Sequence, residues 1–127
     1  MMTVPYQLGA SSIHGIGVFA IAPIEKDTVV WRFIREIDRM WDEADIKILP
    51  VEASSFLSIY GHRDDFYPGK IILCCGDGRF VNHSETPNLY EKDGCSFAAR
   101  AIRVGEELTA DYRTYSAWDA AKIGDMK

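Results

Sequence analysis

Arg79-Phe80-Val81-Asn82-His83-Ser84, and then, past Glu85 and Thr86, Pro87-Asn88, is the stretch on which the reading of this chain turns. An Asn-His-Ser run offers amide, imidazole and hydroxyl groups together with backbone donors and acceptors, enough to hold a polar cofactor. Taken alone it reads equally well as a polar turn ahead of Pro87.

Two further segments flank it. Downstream, Gly105-Glu106-Glu107-Leu108-Thr109-Ala110-Asp111-Tyr112 has a glycine for a turn, Leu108 to anchor a strand and a phenol at its end. By itself this is also a plain hairpin with a half-buried tyrosine. Upstream, in His14-Gly15-Ile16-Gly17-Val18-Phe19, two glycines let the backbone pass close to a ligand. The third glycine and following helix of a dinucleotide fingerprint are missing, so that reading is rejected. A tight turn into a strand remains the plain alternative.

The surrounding composition suits one compact domain of 127 residues, with 47% hydrophobic and 26% charged side chains. A net charge of −5 argues against nucleic acid as a direct partner, since phosphate binding needs a basic face. Cys74, Cys75 and Cys95 lack the spacing of a zinc site, and His83 does not complete one; they read as small buried apolar residues, with no metal and no disulfide framework. No apolar run approaches a membrane span, and no secretory signal is legible. The expectation is a soluble protein, cytoplasmic or otherwise intracellular, with secretion by another signal left open.

The periodicity predicts an extended segment at Val4–Leu8, turns through Gly9–Gly17, and strands at Val18–Ala22 and Thr28–Ile34. A helical insert is expected over about 42–61, with a short helix at Asp42–Leu49. A longer one at Val51–Tyr60 has Ala53, Phe56, Leu57 and Tyr60 on one face and Gly61 as its stop. Strands follow at Lys70–Cys75, Cys95–Ile102 and Glu107–Ala110, the second with Phe97, Ala99 and Ala101 on one face and Arg100 on the other. Ser116–Ile123 is expected to close the chain as a helix. Many short strands around one helical insert make a β-rich α+β domain spanning 1–127.

Taken together and in this order, the segments at 14–19, 79–88 and 105–112 resemble the motifs of the SET-domain family of protein lysine methyltransferases. RFVNHS-x-x-PN is similar to that family's R-F-[IVL]-N-H-S motif, GEELTADY to its G-E-E-L-T-x-D-Y motif, and the glycine segment to its GxG motif. The resemblance runs from about Gly15 to Tyr112, with a divergent insert between Arg35 and Cys75. It implies several short sheets around a pseudoknot-like core, and an enzyme moving a methyl group from S-adenosylmethionine to the lysine side chain of a protein or peptide. The cofactor would be held by His14, Gly15, Ile16, Gly17, Arg79, Phe80, Asn82, His83 and Tyr112, with Tyr112 as the catalytic tyrosine.

The chain departs from the family pattern in one region. No C-x-C-x-x-x-x-C segment follows Tyr112, so the closing segment 113–127 lacks the zinc-binding tail that shuts the lysine channel in many members. Tyr115 and Trp118 are candidates to close it, although Trp118 also reads as the anchor of the last helix. Ala110, Tyr60 and Tyr67 are the other candidate channel residues. Two readings from other classes stay open. One is a catalytically silent SET-fold module that binds cofactor or peptide. The other is a homodimer paired through exposed Trp31, Trp41 or Phe66.

Overall fold

The computed structural model describes residues 1–115. Among the described residues, ten short strands form four small sheets, accompanied by two α-helices. β1 (Tyr6–Ala10) pairs antiparallel with β2 (Ile16–Ala20), so Gly9–Gly17 is a hairpin end rather than an open turn region. β3 (Val29–Arg32), β8 (Leu89–Lys92) and β9 (Cys95–Ala98) form a second sheet in the order β3-β9-β8. β4 (Arg39–Asp42), β5 (Gly61–His62) and β6 (Lys70–Leu73) form a third, in the order β4-β6-β5. The fourth is a two-residue parallel pairing of β7 (Asn82–His83) with β10 (Thr109–Ala110), in register Asn82↔Thr109 and Ala110↔His83.

The insert follows its sequence. α2 (Val51–Tyr60) begins directly after Pro50, which suits a helix start because proline lacks an N–H to leave unpaired. Leu57 is its buried residue, while Phe56 stays exposed. Gly61 ends α2 in extended backbone and becomes the first residue of β5, so it is a junction rather than a left-handed stop. Its lack of a side chain is used: a Cβ there would sit 2.6 Å from the Leu57 carbonyl. α1 (Glu43–Ile46) is a single turn, shorter than the predicted helix, because Asp42 belongs to β4.

The core joins Val18 and Ala20 of β2, Ile24, Val30 of β3, Leu89 of β8, Ala98 of β9, Ile102 and Leu108. β9 turns inward the face opposite Phe97. Ser96 and Ala98 are buried, Phe97 stacks on Tyr90 at 5.3 Å, and Ala101 is exposed. The strand stops at Ala98, and a single residue of phase reverses every side chain. Trp31, expected on the surface as a dimer contact, is 7% exposed and lies over Gly78, where a Cβ would come within 2.7 Å of the indole. Trp41 is half-buried, whereas Phe66 is exposed. The predicted closing helix Ser116–Ile123, with Trp118, lies outside the described residues. No helix among the described residues is long and apolar enough to cross a membrane.

Candidate functional site

The β7–β10 pairing is the origin of the site. Asn88 secures it from the side. Its Oδ1 accepts from the Thr109 N–H at 2.8 Å and its Nδ2 donates to the Glu107 carbonyl at 2.8 Å, both within the interior. Beyond β10 the chain turns through a 3-10 segment, Tyr112–Thr114, whose first N–H groups need partners. The Arg113 N–H finds Asp111, and the Tyr112 N–H finds His83 Nδ1 at 3.1 Å. The Tyr112 hydroxyl donates to the Val81 carbonyl at 2.6 Å. Tyr112 is thus fastened at backbone and phenol to the two residues flanking Asn82.

His83 is thereby fixed in one tautomer. Nδ1 accepts, so Nε2 carries the proton of the neutral ring. That Nε2 is buried and has no hydrogen-bond partner among the described residues.

The glycine loop is tied to the same place. Asn82 Nδ2 lies within hydrogen-bond distance of Ser11 Oγ, the His14 and Ile16 carbonyls and Glu107 Oε1, at 2.9–3.1 Å. Ser11 Oγ donates to the Glu107 carboxylate and accepts from the Ile13 N–H. Gly17 has no Cβ because Glu107 Oε1 occupies that point, 2.3 Å from where a Cβ would be. Gly15 has φ +48° and open space beside it. The side-chain nitrogen of Asn82 therefore shapes the loop from within.

A cavity of about 70 Å³ lies beside Tyr112. Tyr112, Tyr115, Val81, Arg79, Trp31 and Glu91 are among its walls. Tyr115 stacks on Tyr112, with centroids 5.8 Å apart and planes at 25°, and packs on His62 at 5.4 Å. Arg79 lies 4.8 Å over the Phe80 ring, and Phe80 packs against the core beside Tyr60.

The expected channel residues divide. Tyr115 lines the cavity. Tyr60 and Tyr67 do not: Tyr60 packs on Phe56 and Phe80, and Tyr67 on Phe33, Phe66 and Gly94. Ala110 is buried in β10 and is likewise absent from the lining. Trp118 falls outside the described residues.

Two residues escaped the sequence reading. Asn88 belongs to the RFVNHS-x-x-PN motif, which by itself assigns it no role. Glu91 was not singled out at all. It pairs across the β8–β9 hairpin with Ser96, whose hydroxyl lies 2.8 Å from both carboxylate oxygens. Burial pushes its carboxyl up to about 7, against hydrogen bonds from Ser96 and Tyr115 that lower it. A signal for Glu91 was present. Asp93-Gly94, with φ of 51° and 76°, is the two-residue turn that sets this hairpin and hence the Glu91–Ser96 register. Among the described residues no group of three or more His, Cys, Asp or Glu is arranged to hold a metal ion.

The comparisons agree with this architecture. A family model for the SET domain matches residues 15–113. The histone-lysine N-methyltransferase SETD1 of Drosophila melanogaster is 33% identical over 112 residues, covering 81% of this chain and 7% of that protein. The histone-lysine N-methyltransferase trr of the same organism is 34% identical over 115 residues, or 84% of this chain and 5% of that protein. ATXR7 of Arabidopsis thaliana, also a histone-lysine N-methyltransferase, is 33% identical, and the chain spans 8% of its length. In fold, a crystal structure of a candidate histone methyltransferase from Plasmodium falciparum superposes with a TM-score of 0.63 at 20% identity, covering 92% of this chain and 99% of that one. With the parallel β7–β10 junction, the loop bound to Asn82 and the family match over 15–113, the chain belongs to the SET domain family.

Proposed function

We propose that this chain transfers a methyl group from S-adenosylmethionine to the side-chain amine of a lysine in a protein substrate. One observation carries the reading: the β7–β10 pairing ties Tyr112 to Val81 and His83, the neighbours of the Asn82 that binds the glycine loop, and Tyr112 lines a cavity of side-chain size.

The residues present fit the cofactor at two points. Space lies open beside Gly15, and the His83 Nε2–H is a buried donor without a partner among the described residues. His14, Gly15, Ile16 and Gly17 would hold its amino-acid end through their backbone, with Arg79, Phe80, Asn82, His83 and Tyr112 around it. Asn82 would act chiefly by setting the loop's shape, since its nitrogen faces Ser11, Glu107 and the loop carbonyls. When bound, S-adenosylmethionine supplies an electrophilic methyl on a positive sulfonium.

The chain's own task is to deliver a neutral amine in line. Free lysine has a pKa of about 10.4, so holding it neutral at pH 7 costs roughly 4–5 kcal/mol without help. Rings of Trp31, His62, Tyr112 and Tyr115 form part of the cavity wall, and the water lost there reduces the cost of holding a seated lysine as the neutral amine. The Tyr112 hydroxyl donates a hydrogen bond to the Val81 carbonyl, which fixes the phenol in the cavity wall. Alignment of this kind supplies much of the rate in such displacements.

Histone is the substrate named for the curated relatives. This chain spans less than a tenth of their length, so its own target is a separate matter. Calorimetric titration with S-adenosylmethionine, then methyl incorporation into a lysine peptide library, tests the activity. Binding with incorporation is expected. Binding without incorporation into any peptide would favour a silent module.

A further inference from the structure

We infer that Glu91 receives the substrate lysine, its carboxylate drawing the ammonium into the cavity beside Tyr112 and accepting the proton that must leave before the nitrogen can attack. This deepens the proposed lysine methylation and rests on it. Glu91 lines the same cavity as Tyr112 and Tyr115, on β8 rather than on any of the three motif segments.

The carboxylate is aimed and only partly satisfied. Ser96 and Tyr115 supply two hydroxyl donors. A carboxylate accepts about four hydrogen bonds, so capacity remains for an ammonium. No ion pair among the described residues includes Glu91. Arg79 lines the cavity, but its guanidinium reaches the Cys75 carbonyl and lies over Phe80. His62, Cys74, Tyr112 and Tyr115 share the walls, and Asp64 acts in the same direction as burial, against ionisation. A half-buried carboxylate without a cation costs stability. A cationic substrate head would offset that cost.

Size and proton affinity are compatible with the role. A water needs about 10–15 Å³ by this measure, so about 70 Å³ holds roughly five to seven heavy atoms, enough for the end of a lysine side chain. Burial puts the carboxyl at about 7, where it can take a proton and give it back to water near neutral pH. In the step itself an N–H bond of the ammonium breaks and an O–H bond forms on Glu91, while the electron pair stays on nitrogen. That pair then forms the bond to the donor's methyl carbon as the carbon–sulfur bond breaks, its electrons going to sulfur. The Glu91 proton returns to water.

The test uses Glu91→Gln, which keeps the shape and a hydrogen bond to Ser96. n-Butylammonium and n-butanol are titrated into the full chain while the Trp31 indole resonance is followed. The parent is expected to prefer the cation by at least roughly tenfold, and the variant to lose that preference. With S-adenosylmethionine and a lysine peptide, kcat/KM of the variant is expected to fall roughly a hundredfold at pH 7, with recovery as pH is raised. A variant that keeps both the cation preference and the parent pH profile would overturn the inference, even if methylation itself is real. A parent that binds butylammonium through Glu91 but methylates no lysine would instead overturn the methylation reading and leave the amine site standing.

Discussion

Tyr112 is held twice, through its N–H to His83 Nδ1 and through its hydroxyl to the Val81 carbonyl. Tyr112→Phe keeps the ring and its stacking on Tyr115 but loses the hydroxyl that fastens the phenol to the Val81 carbonyl. A kcat loss of roughly 10²-fold with a stability loss of only about 1 kcal/mol is the expected result, read by single-turnover methyl transfer alongside a melting curve. A different residue-scale constraint operates at Gly17. Its missing Cβ is the room that Glu107 needs, and Glu107 cannot swing away without releasing Ser11 and Asn82. Gly17→Ala should therefore cost about 1–3 kcal/mol by denaturant unfolding, and less in a Glu107→Ala background, because the clash and its relief are coupled. The thiols divide by environment in the same way. Burial pushes Cys74 up to about 12, whereas Cys75 and Cys95 are part-exposed. At pH 8 an aromatic disulfide reagent should modify Cys75 and Cys95 first, with Cys74 reacting only on unfolding. Early modification of Cys74, read by peptide mapping, would show that the β6 end opens in the native state.

Among the elements, β7 and β10 are the smallest and matter most for the site. Two residues a side cannot hold a parallel pairing by themselves. Asn88 completes it with its two bonds to the backbone at Glu107 and Thr109. Asn88→Ala should cost about 1–3 kcal/mol, since it leaves buried backbone groups unpaired. It should also lower methyl transfer at temperatures well below the melting transition, because Tyr112 is placed by that strand. Loss of stability with full turnover in the surviving folded protein would separate Asn88 from the site. β9 teaches a related lesson. Its alternating pattern was plain in the sequence, yet the inward set is Ser96 and Ala98 rather than Phe97, Ala99 and Ala101. Two small residues face inward because β9 is the middle strand of its sheet and lies beside the packed core, whereas Phe97 finds its partner in Tyr90 on the other face.

At the scale of the molecule, Glu91 links the cavity to stability. Its folded-state carboxyl sits at about 7 against an ordinary 4.5, so between those values the native state binds more protons than the unfolded chain. Its contribution is therefore neutral below about pH 4.5, becomes unfavourable as pH rises, and is fully unfavourable above about 7. Glu91→Gln is expected to raise the thermal midpoint at pH 8 and leave it nearly unchanged at pH 5, as scanning calorimetry in matched buffers would register. The same chain should gain stability from S-adenosylhomocysteine by about 2.7 kcal/mol at a hundredfold excess over its Kd, if the native state alone binds it. The family, the motif order, α2 and the glycine turn before Glu106 were legible from residues 14–112, because contiguous motifs and helical periodicity are local properties of the chain. What touches what across the interior was not. Nothing local told that Asn82 would spend its amide on the glycine loop, that Trp31 would be covered, or that Tyr60 and Tyr67 would miss the cavity. Glu91 falls between the motifs, in a stretch for which the sequence reading predicts no element. Only the packing of the β8–β9 hairpin against β3 and the Tyr112 turn encloses it, and a carboxylate takes its chemistry from the water it has lost.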